Sequence, residues 1–289
     1  MFLPRKLLEE RLRVMLAEDM GQGDVTTALI VPEGITVEAE VVANESGVAA
    51  GMEEAKVLLE SLGLNVKGLI ADGEEIKTSQ CLLRISGDAR TVLSVERTLL
   101  NILSRMSGIA TNTRKLVQKI KKAGLKTRVA CTRKTAPGLL YFDKKAVLIG
   151  GGDPHRFHLD DMILIKDNHI AIVGSIEKAI KNAKAKASFS KKVEIEITKS
   201  ADVVRTAKNG ADIIMLDNFS PKQIEGAIKA LKKAGLLGKV LLEASGGIKA
   251  ENFLAYASTG VEIVSLGEIT DSTKALDISL EVKNTRKVR

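Results

Sequence analysis

A chain of 289 residues is long enough for two cores, and 45% hydrophobic with 28% charged residues excludes a disordered protein. No apolar run approaches the ~18 residues of a membrane span, and Met1 to Leu16 is studded with Arg and Glu, unlike a signal peptide, so no membrane contact and a cytoplasmic location are expected. The net charge of +8 attracts anions, but with no Trp, two Tyr and Lys residues interleaved with acids, it favours small phosphorylated molecules over nucleic acid.

In chain order, Leu8, Leu12, Met15 and Leu16 recur at helical spacing until Gly21. Ile35, Val37, Ala39 and Val41 alternate as a strand does, and Ala55, Leu58, Leu59 and Leu62 predict a second helix ending at Gly63. Val66 to Ile85 reads as short strands around the turn Asp72-Gly73. The pattern from Val92 to Met106 predicts a helix whose apolar face carries Leu93, Leu100 and Leu103, with Arg97 on that same face. An Arg there either snorkels to the helix edge or needs a partner or an opening. Cys81 and Cys131 form no disulfide framework and no zinc motif.

The second half alternates strand and helix. Strands are expected at Thr127–Ala130, Met162–Ile165, Val193–Ile197, Ile213–Leu216, Val240–Leu242 and Val261–Leu266, which makes a parallel sheet. Val193, Ile195 and Ile197 would pack on helices and leave Glu194 and Glu196 on the other face. A doubly wound sheet would bury those carboxylates under further helices, whereas a barrel mouth offers them partners, so a βα barrel is predicted.

The residues just beyond each strand support a barrel. The six ends run Cys131-Thr132-Arg133-Lys134, Lys166-Asp167-Asn168-His169, Glu196, Asp217-Asn218, Ser245-Gly246-Gly247 and Gly267. Barrel strands deliver their C-terminal ends to one mouth, where catalytic groups sit. Arg133, Lys134, Arg156 and Lys166 supply cations for carboxylate, phosphate or pyrophosphate. Ser245-Gly246-Gly247, before a helix expected near Lys249, is suited to cradle a phosphate, and Gly267 offers the same. Glu196 and Asp217 are acceptors for sugar hydroxyls or Mg²⁺, or salt-bridge partners of the cations. Gly150-Gly151-Gly152-Asp153-Pro154 is a loop able to bring His155 and Arg156 over the mouth. His155, His158 and His169 lack metal-triad spacing, and no Ser/His/Asp arrangement is legible.

These motifs resemble the quinolinate phosphoribosyltransferase family over nearly the whole chain. The resemblance runs through Glu18-Asp19, Gly23-Asp24-Val25-Thr26-Thr27, Glu96-Arg97-Thr98-Leu99-Leu100-Asn101 and Ser107-Gly108-Ile109-Ala110-Thr111. It is densest from Thr132-Arg133-Lys134 through His155-Arg156 to Leu164-Ile165-Lys166-Asp167-Asn168-His169, and closes with Leu216-Asp217-Asn218 and Glu243-Ala244-Ser245-Gly246-Gly247. The fold expected is α/β. A sandwich-like N-terminal α/β domain takes 1–110, joined by 268–289, and a TIM-like, incomplete βα barrel of about six parallel strands takes 111–267.

The activity the resemblance implies is attack of the quinolinate nitrogen on C1 of 5-phosphoribosyl-1-pyrophosphate, with loss of pyrophosphate and CO₂, giving nicotinate mononucleotide for NAD biosynthesis. By resemblance, Arg97, Arg133, His155 and Arg156 would hold the quinolinate carboxylates, and Lys134 and Lys166 would reach substrate and pyrophosphate. Glu196 and Asp217 would face the ribose and Mg²⁺, and Ser245, Gly246, Gly247 and Gly267 would take the 5-phosphate. Lys134, Lys166, Glu196 and Asp217 are thus the expected catalytic set. The family's Arg97 comes from the partner subunit of a homodimer with shared active sites, with a hexamer as a further assembly. One departure is Ile269-Thr270-Asp271-Ser272, where many members carry Thr-His-Ser, since Asp271 would repel a phosphate. The alternatives are a relative acting on nicotinate or associated with molybdenum transport, and a basic nucleic-acid-binding protein without catalysis.

Overall fold

The computed structural model describes residues 3–287. The chain forms two compact units, one made of the chain up to Arg114, Lys145–Gly151 and the chain from Thr273 on, the other of Lys115–Lys144 and Gly152–Ser272. The short excursion at Lys145–Gly151 carries no compositional mark that sequence reading could use.

In the first unit, α1 (Arg5–Met20) buries Leu8, Leu12 and Leu16. The Asp24 carboxylate accepts the Thr27 N–H to cap α2 (Val25–Ile30). There follow β1 (Ile35–Ala43), β2 (Gly47–Val48), α3 (Met52–Ser61), β3 (Asn65–Gly68), β4 (Glu75–Ile76) and β5 (Cys81–Asp88). The helix expected at Val92–Met106 is α4, which spans Ala89–Lys122 and 34 residues. Its buried side is set by Val92, Val95, Leu99, Leu103 and Met106, while Leu93 is only half-buried. Arg97 is exposed and not on the apolar face as expected, because the buried stripe drifts around a long helix and leaves it at the solvent edge.

From β6 (Arg128–Cys131) on, the chain alternates strand and helix: α5 (Leu140–Gly150), whose residues from Lys145 belong to the first unit, then β7 (Ile163–Ile165), α6 (Asp167–Val173), α7 (Ile176–Lys186) and β8 (Val193–Ile197). After these come α8 (Asp202–Lys208), β9 (Ile213–Asp217), α9 (Pro221–Lys233), β10 (Leu241–Ser245), α10 (Phe253–Ala257), β11 (Ile263–Leu266) and α11 (Glu268–Asp271). The strands are parallel in the order β6-β11-β10-β9-β8-β7, so the first strand pairs with the last, as a barrel requires, and the seam falls between β6 and β7. A stub of strand lies against β6 at this seam. The Asp153 N–H donates to the Val129 carbonyl at 2.8 Å, and the Asp153 carbonyl accepts the Cys131 N–H at 3.1 Å. The sheet has the six parallel strands expected, and this isolated bridge, bracketed by glycine and proline, is too short to show a period.

The last strand, β12 (Ile278–Lys287), returns to the first unit and pairs antiparallel with β1 from Ile278↔Ala43 to Lys287↔Ile35. The sheet order there is β12-β1-β5-β3. Its inward residues Val37, Ala39, Val41, Leu83 and Ile85 are buried in the core of that unit.

Candidate active site

All six strands of the barrel end beside one cavity of about 1050 Å³. Arg133, Lys134, His155, Arg156, Lys166, Glu196, Asp217, Ser245, Gly246, Gly247 and Gly267 line it together, though they come from segments spread over 135 residues of sequence. Arg97 belongs to the other unit and is exposed there.

Three cations stand without protein partners. The side chains of Arg133, Lys134 and Arg156 make no hydrogen bond or salt bridge to any described residue, although Arg156 is only 7% exposed. Burial presses the Arg156 guanidinium below its usual pKa, neighbouring Arg133 adds to this, and Glu194 opposes it. Two guanidinia that line one cavity and feel each other's charge, with unused forked donors, suit an anion, which would remove the repulsion. Lys134 is positioned through its main chain, whose carbonyl accepts the Thr270 hydroxyl at 2.8 Å, and its side chain passes close to Gly267.

Opposite lies a pair of carboxylates. Glu196 on β8 and Asp217 at the end of β9 come from neighbouring strands. Burial raises the Glu196 pKa, and Asp217 raises it further against the pull of Lys166, whose Nζ is 4.0 Å away. Asp217 is oriented by Asn218, whose Nδ2 donates to Asp217 Oδ2 at 2.7 Å from a left-handed backbone of φ 56°. Two nearby carboxylates that repel each other suit a divalent cation. Among the described residues no third Asp, Glu, His or Cys joins them within ligating distance, so such a cation would complete its shell with water and substrate oxygens.

The glycine cup differs from expectation. Helix α10 begins at Phe253 rather than near Lys249. The main-chain amides before it are already used, that of Lys249 by Asn252 Oδ1 at 2.8 Å and that of Ala250 by Glu268 Oε1 at 2.5 Å. The cup is instead the consecutive left-handed pair Gly246 (φ 85°) and Gly247 (φ 64°), whose amides donate to no described acceptor. Successive N–H groups in such a turn make an anion-binding concavity without a helix. Asp271 lines the same cavity beside Gly267, with its carboxylate accepting the Ser272 hydroxyl at 2.5 Å.

Sequence reading assigned no role to Glu194 and Glu243, which are both 0% exposed and face His155. The His155 Nε2 lies 3.0 Å from Glu243 and 3.6 Å from Glu194. Burial disfavours charge on this ring, but the hydrogen bond to Glu243 and the close carboxylates of Glu194 and Glu243 outweigh it, raising the pKa to about 10. The Arg156 N–H stands 2.7 Å from Nδ1, a contact the ring accepts only while Nδ1 is bare, so adding the second proton costs that contact. In both forms Nε2 carries a proton and donates it to Glu243. His155 was expected to hold a substrate carboxylate, but its two nitrogens are engaged inside the protein.

The family model described as Quinolinate phosphoribosyl transferase, N-terminal domain, matches residues 24–107, and the corresponding C-terminal domain model matches residues 109–281. The chain is 46% identical over 275 residues to a probable nicotinate-nucleotide pyrophosphorylase [carboxylating] of Methanothermobacter thermautotrophicus, covering 95% of this chain and 99% of the relative. It is 34% identical to the nicotinate-nucleotide pyrophosphorylase [carboxylating] of Rattus norvegicus, covering 88% of this chain and 85% of the relative. Among solved structures, that of the nicotinate-nucleotide pyrophosphorylase from Francisella tularensis superposes with a TM-score of 0.89 at 37% identity, covering 98% of each chain.

Proposed function

The chain belongs to the quinolinate phosphoribosyltransferase family, and we infer from that membership that its cavity transfers the phosphoribosyl group of 5-phosphoribosyl-1-pyrophosphate to quinolinate. Decarboxylation follows, and the products are nicotinate mononucleotide, pyrophosphate and CO₂, a step of NAD biosynthesis. The observation that carries the reading is the set of unpaired cations facing two repelling carboxylates across one cavity.

Displacement at the sugar C1 builds positive charge on the ribose while negative charge gathers on the departing pyrophosphate. Glu196 and Asp217 are placed to stabilise the first, and Lys134 and Lys166 the second. Arg133 and Arg156 are suited to grip an aromatic dicarboxylate by bidentate pairs, which orients the ring nitrogen towards C1. Loss of the 2-carboxylate as CO₂ then leaves its electron pair on a carbon next to the new ring cation, which stabilises it until that carbon takes a proton from water. The Gly246-Gly247 amides and Ser245 are suited to the 5-phosphate. No side chain is needed as a covalent nucleophile.

Mg²⁺ fits Glu196 and Asp217 and would neutralise pyrophosphate charge when bound with the substrate. Assembly as a homodimer is the reading that gives the exposed Arg97 a task, with Arg97 of the partner subunit completing the carboxylate grip. The cytoplasm is the proposed location, in keeping with a highly charged sugar pyrophosphate as substrate. Among the described residues no helix is long and apolar enough to cross a membrane.

The test is turnover. With the sugar pyrophosphate and Mg²⁺ present, quinolinate should yield CO₂ and a mononucleotide, and nicotinate should not. Turnover of nicotinate alone would replace this reading with that of a relative of different substrate.

A further inference from the structure

Beneath the cation cluster lie two carboxylates that the reaction itself does not use. Glu194 on β8 and Glu243 on β10 are fully buried, and both Glu194 oxygens and Glu243 Oε1 have no hydrogen-bond partner among the described residues. A buried carboxylate left so poorly compensated costs several kcal/mol in general, so what it faces matters. The groups facing this pair are the imidazole of His155, within 3.6 Å of both, and the guanidinium of Arg156, which feels the charge of Glu194.

His155 is itself held in a conformation that needs support. Its φ of 54° lies in the left-handed region, which costs a side-chain-bearing residue about 1–3 kcal/mol and persists only when neighbours over-determine it. Asp153 Oδ1 accepts the His155 N–H at 2.8 Å, and the buried Lys144 ammonium donates to the Pro154 carbonyl. Glu243 accepts from the ring at 3.0 Å. The next residue in the chain is Arg156, whose guanidinium faces the cavity without a partner.

Resting on the family reading above, we propose that Glu243 and Glu194 are positioning residues for the dicarboxylate substrate. Glu243 accepts the His155 Nε2–H and Glu194 adds its charge at 3.6 Å, so the pair locks the left-handed turn at His155, and that turn aims Arg156 into the cavity. The ring is thus a strut between a carboxylate floor and a substrate-binding arginine. The same three side chains have the composition of a metal site, but a cation on Nε2 would displace the proton that Glu243 accepts, and the Arg156 amide already faces Nδ1.

The experiment compares Glu243→Ala and Glu243→Gln in the full chain. Glu243→Ala should raise the quinolinate KM by about tenfold or more and leave the KM for the sugar pyrophosphate within about twofold. Glu243→Gln, whose amide oxygen still accepts from Nε2–H, should return the quinolinate KM to within about threefold of wild type. The chain has three histidines, so ¹⁵N-histidine spectra can follow His155 directly. An exchange-protected Nε2–H should be present in the wild type and the Gln variant and lost in the Ala variant. The proposal is overturned if the two KM values rise equally, if a folded Gln variant is as impaired as Ala, or if wild-type Nε2 is unprotonated or binds added Zn²⁺ or Mn²⁺. Should the Ala variant not fold, the Gln variant and the wild-type spectrum still decide. A wild type that shows the protected Nε2–H but does not turn over quinolinate would sink the substrate assignment and leave the strut standing.

Discussion

Asp217 shows how much of the site is decided around a catalytic residue rather than at it. Its carboxylate is fixed by Asn218 and is given room by Gly246, where a Cβ would fall 2.5 Å from Asn218 Oδ1 and 2.7 Å from Asp217 Oδ1 on a left-handed backbone. Gly246→Ala should therefore displace Asp217 and lower kcat/KM by about 10- to 100-fold, a size typical of misplacing a catalytic group by about an ångström. Steady-state kinetics on the folded variant would check this, and wild-type kcat/KM would refute it. At this scale the charged strand ends were legible, because Arg133, Lys134, Lys166 and Asp217 break apolar runs abruptly. Glu194 was legible only as a carboxylate on the inner face of its strand, and Glu243 gave no signal. Each is a polar residue inside a strand, and its partner His155 lies far away in sequence on a segment with no readable period.

At the scale of elements, α4 shows why a correct helix was cut short. After Met106 the sequence turns to Ser107, Gly108, Thr111 and Thr113, which resembles a helix end. In the structure these small residues are where main chain packs against the helix. Ser107 Oγ accepts the Ala50 N–H at 3.1 Å, and Thr111 Oγ1 accepts the Val48 N–H at 2.8 Å. A Cβ on Gly108 would land on the Lys274 carbonyl oxygen and within 3.0 Å of the Ala275 Cα. Gly108→Ala sets this clash against the better helix propensity of Ala, about 1 kcal/mol. Backbone cannot yield as a flexible side chain does, so the variant should be less stable by about 1–3 kcal/mol, read as a lower urea midpoint. An unchanged or higher midpoint would show that the strand connection is free to move. The barrel strands were easier to read, since β9 and β11 are largely apolar runs and β8 alternates Val and Ile with Glu194 and Glu196.

For the whole molecule, composition limited the ligand to an anion and left its identity to motifs. The same holds for Arg97, for which helical spacing offered a snorkelling cation or one in need of a partner and could not choose, and which is exposed. If Arg97 of the partner subunit completes each site, mixed dimers of Arg97→Ala and Lys166→Ala chains carry one site with both changes and one with neither. Random reassembly should then restore roughly a quarter of wild-type activity from two inactive preparations. Verified mixed dimers without activity would argue for sites complete within one chain.

The pairing of β12 with β1 sets an order on events at the ribosome. A nascent chain offers its N-terminal part first, yet the sheet that starts at Ile35 obtains its edge only when Ile278–Lys287 arrives. Until then β1 presents an open row of amides and carbonyls, the kind of edge that recruits other chains. The barrel, whose strands all lie between Arg128 and Leu266, is available to fold before the unit that precedes it in the sequence is closed. A delay in making β12 therefore leaves the edge of β1 open to other chains.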